Sequence, residues 1–267
     1  MFFHKHRQGQ TESLSVFTGS LFNHQTPGLI SLTDHIFVGD TIDGGASPWL
    51  QHLSGSNSIS RRWRARQDIS EELDMQWPPK EALMNIENET GPDAIPLRCH
   101  CKSVNFVLRR GDAQFAAMDS KTLPWFIDPT THKHIATFDA CNSCRSTFGM
   151  DILNWTFALL GQLDFGNENV SGPSPSFPQT TQQLKDVFLR PGPSRDSRFG
   201  TLAMYASSPD VQRYFCSSCS ASVFYAVDDR QDLVDVAIGL LDAPEGARAE
   251  SLLVWGLGSD VGEEAMS

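Results

Sequence analysis

The stretch Arg98-Cys-His-Cys-Lys-Ser-Val104 carries the first of three closely spaced cysteine pairs, and these pairs decide how the chain can fold. The other pairs are Cys141-Asn-Ser-Cys144 and Cys216-Ser-Ser-Cys219, and the three pairs together contain all 6 cysteines. Two thiolates at such spacing can approach one metal ion from a single turn of backbone, and two converging pairs provide the four sulfur ligands of a tetrahedral zinc site. Three pairs therefore predict one complete site and a remaining pair whose role is a separate question.

Disulfide bonds are the alternative interpretation of paired cysteines. Disulfide-rich scaffolds are usually short and secreted. This sequence has 267 residues, and its start, Met1-Phe-Phe-His-Lys-His-Arg-Gln, lacks the continuous apolar segment of a secretory signal. No uninterrupted apolar run is long enough to span a bilayer. The sequence therefore predicts a cytoplasmic protein without a membrane segment, and in that reducing compartment metal ligands are favoured over structural disulfides.

Composition and charge narrow the class of protein. Apolar residues make up 40% of the chain, and 17 Phe stand against 3 Tyr, so a packed core is expected. The formal net charge of -11 makes nucleic acid an unlikely partner, because phosphate backbones require a basic surface. One local exception is Arg61-Arg-Trp-Arg-Ala-Arg66, for which a solvated basic face is favoured over a nuclear address or an anion site.

Composition also divides the chain into parts. Residues 1–60 contain β-prone runs separated by turn-forming residues, and residues 61–94 are charged, then proline-containing, and are interpreted as a linker. Residues 95–257 contain every cysteine and form the predicted complete domain, followed by a tail at 258–267. Within the domain, residues 166–200 are rich in Ser, Pro, Gly and Gln, which predicts a long, flexible surface insertion.

Short apolar runs around the cysteine pairs predict a mainly β fold. Val104-Asn-Phe-Val-Leu108 follows the first pair and Ser222-Val-Phe-Tyr-Ala-Val227 follows the third, and Leu233-Val-Asp-Val-Ala-Ile238 is a further strand candidate. The first and third pairs thus lie at strand edges or turns, as in zinc-ribbon knuckles. The expected architecture is a zinc-ribbon-like fold of several short, coiled antiparallel sheets with few helices.

The three pairs occur in a specific order, C-x-C, then C-x-x-C followed by Arg, then Phe-C-x-x-C. Arg98-Cys-His-Cys-Lys-Ser-Val104 opens the pattern, Tyr205-Ala-Ser-Ser-Pro-Asp-Val-Gln-Arg-Tyr-Phe-Cys216 leads into the last pair, and Val236-Ala-Ile-Gly-Leu-Leu-Asp242 follows it. This combination resembles the glutathione-dependent formaldehyde-activating enzyme family, which includes the centromere-protein-V-like proteins. The resemblance covers about residues 95–257 and is to a fungal-type member.

The N-terminal part carries a weaker resemblance. Asp34-His-Ile-Phe-Val-Gly-Asp-Thr-Ile-Asp-Gly-Gly-Ala-Ser-Pro-Trp49 resembles a segment near the end of a family domain. Many fungal members look like tandem copies, so residues 1–60 are interpreted as a degenerate C-terminal remnant of a first copy, without cysteines. The alternative is an unrelated β extension, because short apolar strands such as His35-Ile-Phe-Val38 match by chance.

The resemblance implies two zinc ions. One is structural and is held by the first and last pairs, and such a closed thiolate site contributes directly to folding. Its implied ligands are Cys99, Cys101, Cys216 and Cys219. The second zinc of the family is held by C-x-C-x-x-C and keeps an open fourth position. The matching residues in this chain are Asp139, Cys141 and Cys144.

Asp139 replaces the first cysteine of this second motif. Zinc accepts carboxylate oxygen at about 2.0–2.2 Å, compared with about 2.3 Å for sulfur, so Asp139 can still act as a ligand. The charge of the ligand set is unchanged, but a site with one sulfur fewer should hold zinc less tightly. His132 and His134 lie just upstream and are further candidates to complete the shell, although ordinary loop or strand histidines are the commoner case.

The activity implied by the resemblance is that of a carbon–sulfur lyase acting on glutathione–aldehyde adducts of the S-hydroxymethylglutathione type. A zinc ion with an open position favours thiolate over thiol, and glutathione is then the co-substrate that attacks the aldehyde. The implied catalytic residues are Asp139, Cys141 and Cys144. Arg145 is a candidate substrate-binding residue that would pair with a carboxylate of glutathione, with an ordinary surface arginine as the alternative.

Two other functions fit the same residues. A non-catalytic zinc-binding interaction module of the same fold is favoured by the Asp139 replacement and by the reduced N-terminal copy. A redox or metal-handling protein would instead use Cys141 and Cys144 as a dithiol. A second zinc equivalent separates the enzyme from both alternatives, and a reversible disulfide between Cys141 and Cys144 would favour the dithiol.

Overall fold

Most of the chain is described by a computed structural model, which covers residues 3–8, 11–21, 26–27, 29–30, 33–51, 59–78, 92–166, 175–189 and 195–256. These residues form fourteen β-strands and three short α-helices. The prediction of a mainly β fold with few helices is confirmed, although two of the strand pairings are parallel. The zinc-ribbon-like detail of the fold stays a prediction, as does the remnant interpretation of residues 1–60.

The elements are short throughout the described part of the chain. The strands are β1 (Phe3–Gln8), β2 (Thr11–Val16), β3 (Asp34–His35), β4 (Arg61–Arg62), β5 (Ala94–Arg98), β6 (Asn105–Arg109), β7 (His134–Asp139), β8 (Leu153–Leu159), β9 (Leu163–Phe165), β10 (Leu202–Ser208), β11 (Val211–Cys216), β12 (Ser222–Val227), β13 (Leu233–Ala237) and β14 (Leu253–Trp255). The helices are α1 (Asp112–Ala116), α2 (Asn142–Phe148) and α3 (Thr181–Leu189).

The chain forms two compact units that interleave along the sequence. The first unit consists of Met1–Asp40, Ala46–Gln76 and Phe138–Asn154, and the second consists of Thr41–Gly45, Trp77–Thr137 and Trp155–Ser267. Residues 61–76 of the predicted linker belong to the first unit. The second cysteine pair belongs to the first unit, and the other two pairs belong to the second.

The largest sheet has seven strands in the order β10-β11-β12-β13-β8-β7-β14. Its strands from β10 to β8 pair antiparallel, whereas β14 pairs parallel with β7. A second, three-stranded antiparallel sheet has the order β5-β6-β9. The hairpin between β5 and β6 carries the first cysteine pair, and the hairpin between β11 and β12 carries the third.

Burial alternates along the strands of the small sheet, as expected for one buried face. Ile95 and Leu97 of β5 and Phe106 and Leu108 of β6 are completely buried, and their neighbours along each strand are less so. Strand β13 differs because four of its five residues, 233–236, are buried. This pattern is typical of a strand in the centre of a sheet, covered on both faces.

Phe106 lies at the centre of an aromatic cluster in the second unit. Its ring centroid is 5.3 Å from that of Phe177, 5.9 Å from that of Phe224 and 6.0 Å from that of Phe165. Phe199 closes the cluster, with its ring centroid 5.1 Å from that of Phe165. Buried aromatic rings contribute large apolar areas, and paired rings gain roughly 0.5–1.5 kcal/mol beyond that area.

The predicted flexible insertion at residues 166–200 stays a prediction, and part of this segment is described by the structure. Residues 175–189 and 195–200 contain α3 and two core aromatics, Phe177 and Phe199. Leu184 of α3 is also completely buried. These buried apolar side chains belong to a segment that is otherwise rich in Ser, Pro and Gly. Residues 167–174 and 190–194 lie outside the described residues.

Residues 61–78 of the predicted linker at 61–94 are described by the structure. Strand β4 pairs parallel with β3, and Arg62 is only 1% exposed. Its guanidinium donates to Ser47 Oγ at 2.9 Å and to the carbonyl of Asp74 at 3.0 Å, which fixes this charged segment within the first unit. The remainder of the predicted linker, residues 79–91, and the predicted tail at 258–267 lie outside the described residues.

The β-prone run His35-Ile-Phe-Val38 is a strand only at its first residue. Phe37 has a φ of 57°, in the left-handed region that a strand cannot include, and a 3-10 turn follows at Val38–Asp40.

No helix in the described part of the chain has both the length and the apolarity that crossing a membrane requires.

We expect Phe106→Ala to destabilise the second unit by about 3–5 kcal/mol, because the truncation leaves a cavity among four other phenylalanine rings. Urea denaturation followed by tryptophan fluorescence measures the change. Leu189→Ala is the control, since Leu189 is 55% exposed, and its effect should stay within about 0.5 kcal/mol. Equal losses in the two variants would contradict the central position of Phe106.

Candidate metal centres

Two groups of side chains with metal-ligating atoms converge among the described residues. The first consists of Cys99, Cys101, Cys216 and Cys219, and the second consists of Asp139, Cys141 and Cys144. Within each group the ligand atoms all lie within 4.8 Å of one another. The structure therefore brings together the seven residues that the family resemblance implies as metal ligands, in the implied combinations. Either group could hold a metal ion.

The first cysteine pair lies in a tight turn between β5 and β6. The backbone N–H of Lys102 donates to the carbonyl of Cys99 at 2.8 Å, and Lys102 takes a left-handed conformation with a φ of 60°. The N–H of Val104 then donates to Cys99 Sγ at 3.3 Å. The turn thus directs the sulfur atoms of Cys99 and Cys101 to the same side.

The third pair lies in a turn of similar design between β11 and β12. The N–H of Ser220 donates to the carbonyl of Cys216 at 2.8 Å, and Ser220 is left-handed with a φ of 63°. The N–H of Cys219 donates to Cys216 Sγ at 3.4 Å. In each turn a backbone amide therefore points at the first sulfur, which stabilises that sulfur as a thiolate.

The segment at residues 200–201 joins the two turns. The N–H of Ser217 donates to the carbonyl of Thr201 at 2.9 Å, and the N–H of Thr201 approaches the carbonyl of Ser103 at 3.4 Å. A side chain at Gly200 would begin 1.7 Å from the carbonyl oxygen of Ser103, and Gly200 has a φ of 54°. Only glycine fits there, so the close approach of the two cysteine turns depends on it.

Sulfur–sulfur distances distinguish a metal site from a disulfide. Cys101 Sγ lies 3.5 Å from both Cys99 Sγ and Cys216 Sγ. A disulfide bond is about 2.05 Å long, whereas metal–sulfur bonds of about 2.3 Å in a tetrahedron separate the sulfur atoms by about 3.8 Å. All six cysteines are free. The donor set and its spacing fit a four-coordinate ion.

The thiols of this group differ in acidity. Burial raises the pKa of the Cys99 thiol to about 12, and a hydrogen bond from the Ser103 side chain lowers the pKa of Cys101 to about 5. For Cys216, burial opposes ionisation, but hydrogen bonds led by that from the Thr201 hydroxyl outweigh it and lower the pKa. Because Cys99 must lose its proton to become a ligand, metal affinity at this group should rise with pH.

The second group is built where β7 ends and α2 begins. Asp139 is the last residue of β7, and Cys141 is the N-cap of α2, its Sγ accepting a hydrogen bond from the N–H of Cys144 at 3.3 Å. Asp139 Oδ1 accepts a hydrogen bond from the N–H of Cys141 at 2.7 Å. A carboxylate has two oxygens, so this bond leaves Asp139 able to ligate as well.

The second group is more accessible than a closed metal site. Cys144 is buried, Asp139 is half-buried and Cys141 is exposed. Among the residues that the structure describes, it has three donors where a tetrahedral ion needs four, so one position would remain for a solute. The two groups therefore differ in kind, the first complete in sulfur ligands and the second incomplete.

The two upstream histidines do not join this group. His134 is completely buried, with Nδ1 2.7 Å from the carbonyl of Phe157 and Nε2 2.9 Å from the carbonyl of Arg110. His132 lies in a turn around Asp128, with a left-handed φ of 57°. Their candidacy as ligands rested only on proximity in sequence, and the converging atoms are those of the aspartate and the cysteines.

Arg145, the predicted substrate-binding residue, forms hydrogen bonds within the protein. Its Nη1 donates to the carbonyl of Gly19 at 2.6 Å, and its Nε approaches Asn142 Oδ1 at 3.4 Å. The prediction that it binds a carboxylate stays a prediction. Sequence patterns contain no sign of the contact with Gly19, nor of the roles of Thr201 and Gly200, because each depends on a residue distant along the chain.

Comparison with known proteins adds no further relation, because no protein-family model matches the sequence and no curated protein matches it significantly. The resemblance to the formaldehyde-activating enzyme family therefore rests on the cysteine motifs and their flanks, and the geometry of the two groups is the other basis for inferring a function.

We expect Cys99→Ser and Asp139→Ala to act differently. Cys99→Ser removes a ligand from a closed site whose binding free energy is part of the folding free energy, so the variant should be largely unfolded at 25 °C. Asp139→Ala should keep the cooperative unfolding transition of the wild type. Circular dichroism with thermal melting compares them, with Asp229→Ala as an exposed control outside both groups. Identical melting of the Cys99 and Asp139 variants would show that the two groups do not differ in kind.

A second prediction concerns Thr201, whose hydroxyl lies 3.0 Å from Cys216 Sγ. Thr201→Val removes this hydrogen bond with little change in shape, and loss of such an outer contact typically weakens metal binding about 10–100-fold. Competition with a chromophoric chelator measures the affinity of the four-cysteine group. Ser217→Ala is the control, because its hydroxyl donates to the carbonyl of Thr201 and not to sulfur. Unchanged affinity in Thr201→Val would show that the hydroxyl plays no part in metal binding.

Proposed function

We propose that this protein is a zinc-dependent carbon–sulfur lyase that acts on adducts of glutathione with small aldehydes, and that it is a divergent member of the formaldehyde-activating enzyme family. The observation that carries the proposal is the convergence of Asp139, Cys141 and Cys144 into a three-donor group, in a chain that also contains a separate, complete four-cysteine group. One closed site and one incomplete site are the combination that a structural metal and a reactive metal require.

The donor chemistry supports zinc at both groups. Thiolate ligands select soft or borderline ions, and four thiolates in a tetrahedral arrangement are typical of structural zinc. The 3.5 Å sulfur separations of the first group are compatible with that geometry. At the second group, Asp139, Cys141 and Cys144 together bring three negative charges when ionised, as three thiolates would.

The residues of the second group have distinct roles in this proposal. Zinc bound there would supply Lewis-acid chemistry that favours a substrate sulfur as thiolate. Its ligands would include Cys144, which is buried, and Cys141, whose sulfur accepts a hydrogen bond from the N–H of Cys144. Asp139, at the end of β7, would be the third ligand. The exposure of Cys141 leaves the substrate a path to the group from that side.

The proposed reaction is redox-neutral. In the forward direction the sulfur of glutathione forms a bond to the carbonyl carbon of the aldehyde, and the thiol proton ends on the former carbonyl oxygen. In the reverse direction the carbon–sulfur bond breaks, its electron pair returns to sulfur, and the hydroxyl proton is released as the carbonyl reforms.

The free state of all six cysteines supports a reducing, cytoplasmic location for this chemistry.

A second candidate function is a non-catalytic zinc-binding module. The contact between Arg145 Nη1 and the carbonyl of Gly19 favours it, because a guanidinium that supports the backbone has fewer donors for a substrate carboxylate. This candidate keeps the structural zinc and predicts no acceleration of adduct exchange.

The test combines metal content with turnover. Wild-type protein purified without chelator should contain two zinc ions and should accelerate the exchange between S-hydroxymethylglutathione, glutathione and formaldehyde, measured by NMR exchange spectroscopy. Asp139→Ala and Cys144→Ser should contain one zinc ion and lose at least about 100-fold in exchange rate, since losses of a group that stabilises the transition state are of that order.

The matched control for these variants is His132→Asn, which changes a nearby residue outside the converging group and keeps a side chain that tolerates a positive φ. It should retain both zinc ions and full activity. One zinc ion in the wild type, with no acceleration of exchange, would refute the lyase proposal and favour the binding module.

A further inference from the structure

Residues 17–20 of the first unit lie against the C-terminal end of α2. The N–H of Gly19 donates to the carbonyl of Gly149 at 3.1 Å, and the hydroxyl of Thr18 donates to Asp151 Oδ2 at 2.5 Å. In the opposite direction, Arg145 Nη1 donates to the carbonyl of Gly19 at 2.6 Å. Three hydrogen bonds thus connect a segment near the N-terminus to the helix that carries Cys144 and to the residues just after it.

The fit between this segment and the helix end is close. A Cβ atom at Gly19 would lie 2.3 Å from the backbone nitrogen of Met150 and 2.4 Å from the carbonyl carbon of Gly149. A Cβ at Gly149 would in turn meet the side chain of Phe17 at 3.3 Å. Backbone atoms cannot move aside as a flexible side chain can, so any substitution at Gly19 must separate the segment from the helix.

The other flank of the second metal group is held as well. Phe138, directly before Asp139, packs edge-to-face on Trp49, with ring centroids 6.2 Å apart. Asp139 and Cys141 are already joined by the bond between Oδ1 and the Cys141 N–H. Trp49 thus contacts the strand that ends at Asp139, and residues 17–20 contact the helix that carries Cys144, all within the first unit.

We infer that residues 17–20 and Trp49 form an N-terminal support that positions the second metal centre. This inference rests on the proposed function only in requiring that Asp139, Cys141 and Cys144 bind a metal ion. With only two sulfur ligands and one carboxylate, the group gains affinity when its donors are held in place before the ion arrives, because the ordering cost on binding is then reduced. A cysteine-free N-terminal region thereby acquires a role at the metal centre.

The two centres should differ in their dependence on this support. The four-cysteine group belongs to the second unit and has its own turns, so it should not respond to changes at Gly19 or Trp49. The second centre should lose affinity when the support is disturbed. Cobalt(II) is a suitable probe, because four thiolates and two thiolates give charge-transfer bands of different intensity, which identify the centre that each equivalent occupies.

The experiment titrates cobalt(II) into the full-length apoprotein of wild type, Gly19→Ala and Trp49→Ala. The wild type should bind two equivalents. In both variants the first equivalent should bind as in the wild type, and the dissociation constant of the second should rise at least about tenfold, as for other outer contacts of metal ligands. Trp49→Phe, which keeps a ring against Phe138, should restore most of the affinity.

Matched controls lie in the second unit. Gly239→Ala introduces the same methyl group at a glycine where nothing lies within 4 Å of the new atom. Trp125→Ala removes a ring that also packs on a phenylalanine, with its centroid 4.6 Å from that of Phe157. Both controls should bind two equivalents with wild-type affinity, which would separate positioning of the second centre from a general effect of losing a ring or a glycine.

Each other outcome overturns a specific statement. Wild-type affinity for the second equivalent in both support variants would refute the N-terminal support and leave the lyase proposal intact. A wild type that binds one equivalent would refute the second centre itself. Thr18→Val, which removes one hydrogen bond, replaces Gly19→Ala if Gly19→Ala fails to fold and loses both equivalents. Unchanged affinity for the second equivalent in Thr18→Val and Trp49→Ala would then refute the support.

Discussion

Four cysteine sulfur atoms approach one another from two turns of the second unit, and two of these cysteines, Cys101 and Cys216, lie 115 residues apart in sequence. The turns between β5 and β6 and between β11 and β12 belong to different sheets, and Gly200 and Thr201 fill the space between them. Burial disfavours the charged thiolate form of Cys99, which the raised pKa of this thiol reflects. A cation bound among the four sulfur atoms would remove that cost and link the two sheets, and metal binding would then be coupled to folding.

The second group is assembled differently, because its donors come from one short stretch of chain and not from two sheets. A local turn and the first turn of α2 suffice to collect Asp139, Cys141 and Cys144, and no closure of a long loop is involved. The group is correspondingly open to solvent at Cys141. We expect a metal ion at a group built this way to add little to the stability of the fold.

The sequence predicts what depends on spacing and periodicity, and misses what depends on distant partners. The cysteine pairs and their flanks indicated both metal groups, and strand β12 has the bounds that its apolar run predicts. The Ser and Pro content around Phe177 gives no sign that this side chain is buried, because its burial depends on contact with Phe106, which is distant along the chain. The prediction for Arg62 was wrong because a buried guanidinium is stable only where oxygens accept its hydrogen bonds, here at Ser47 and Asp74.

An aspartate at position 139 is locally favourable, because a carboxylate can accept a hydrogen bond from the Cys141 amide and still offer an oxygen to a metal, which one sulfur does less well. In the proposed lyase, a carboxylate donates less charge to zinc than a thiolate does, so the ion is held less tightly and is the stronger Lewis acid. Reactivity then increases at the expense of affinity. The contacts of Gly19 and Trp49 hold the donor atoms in place. In the proposed lyase, this positioning offsets part of the metal affinity that is lost when a carboxylate stands in place of a thiolate.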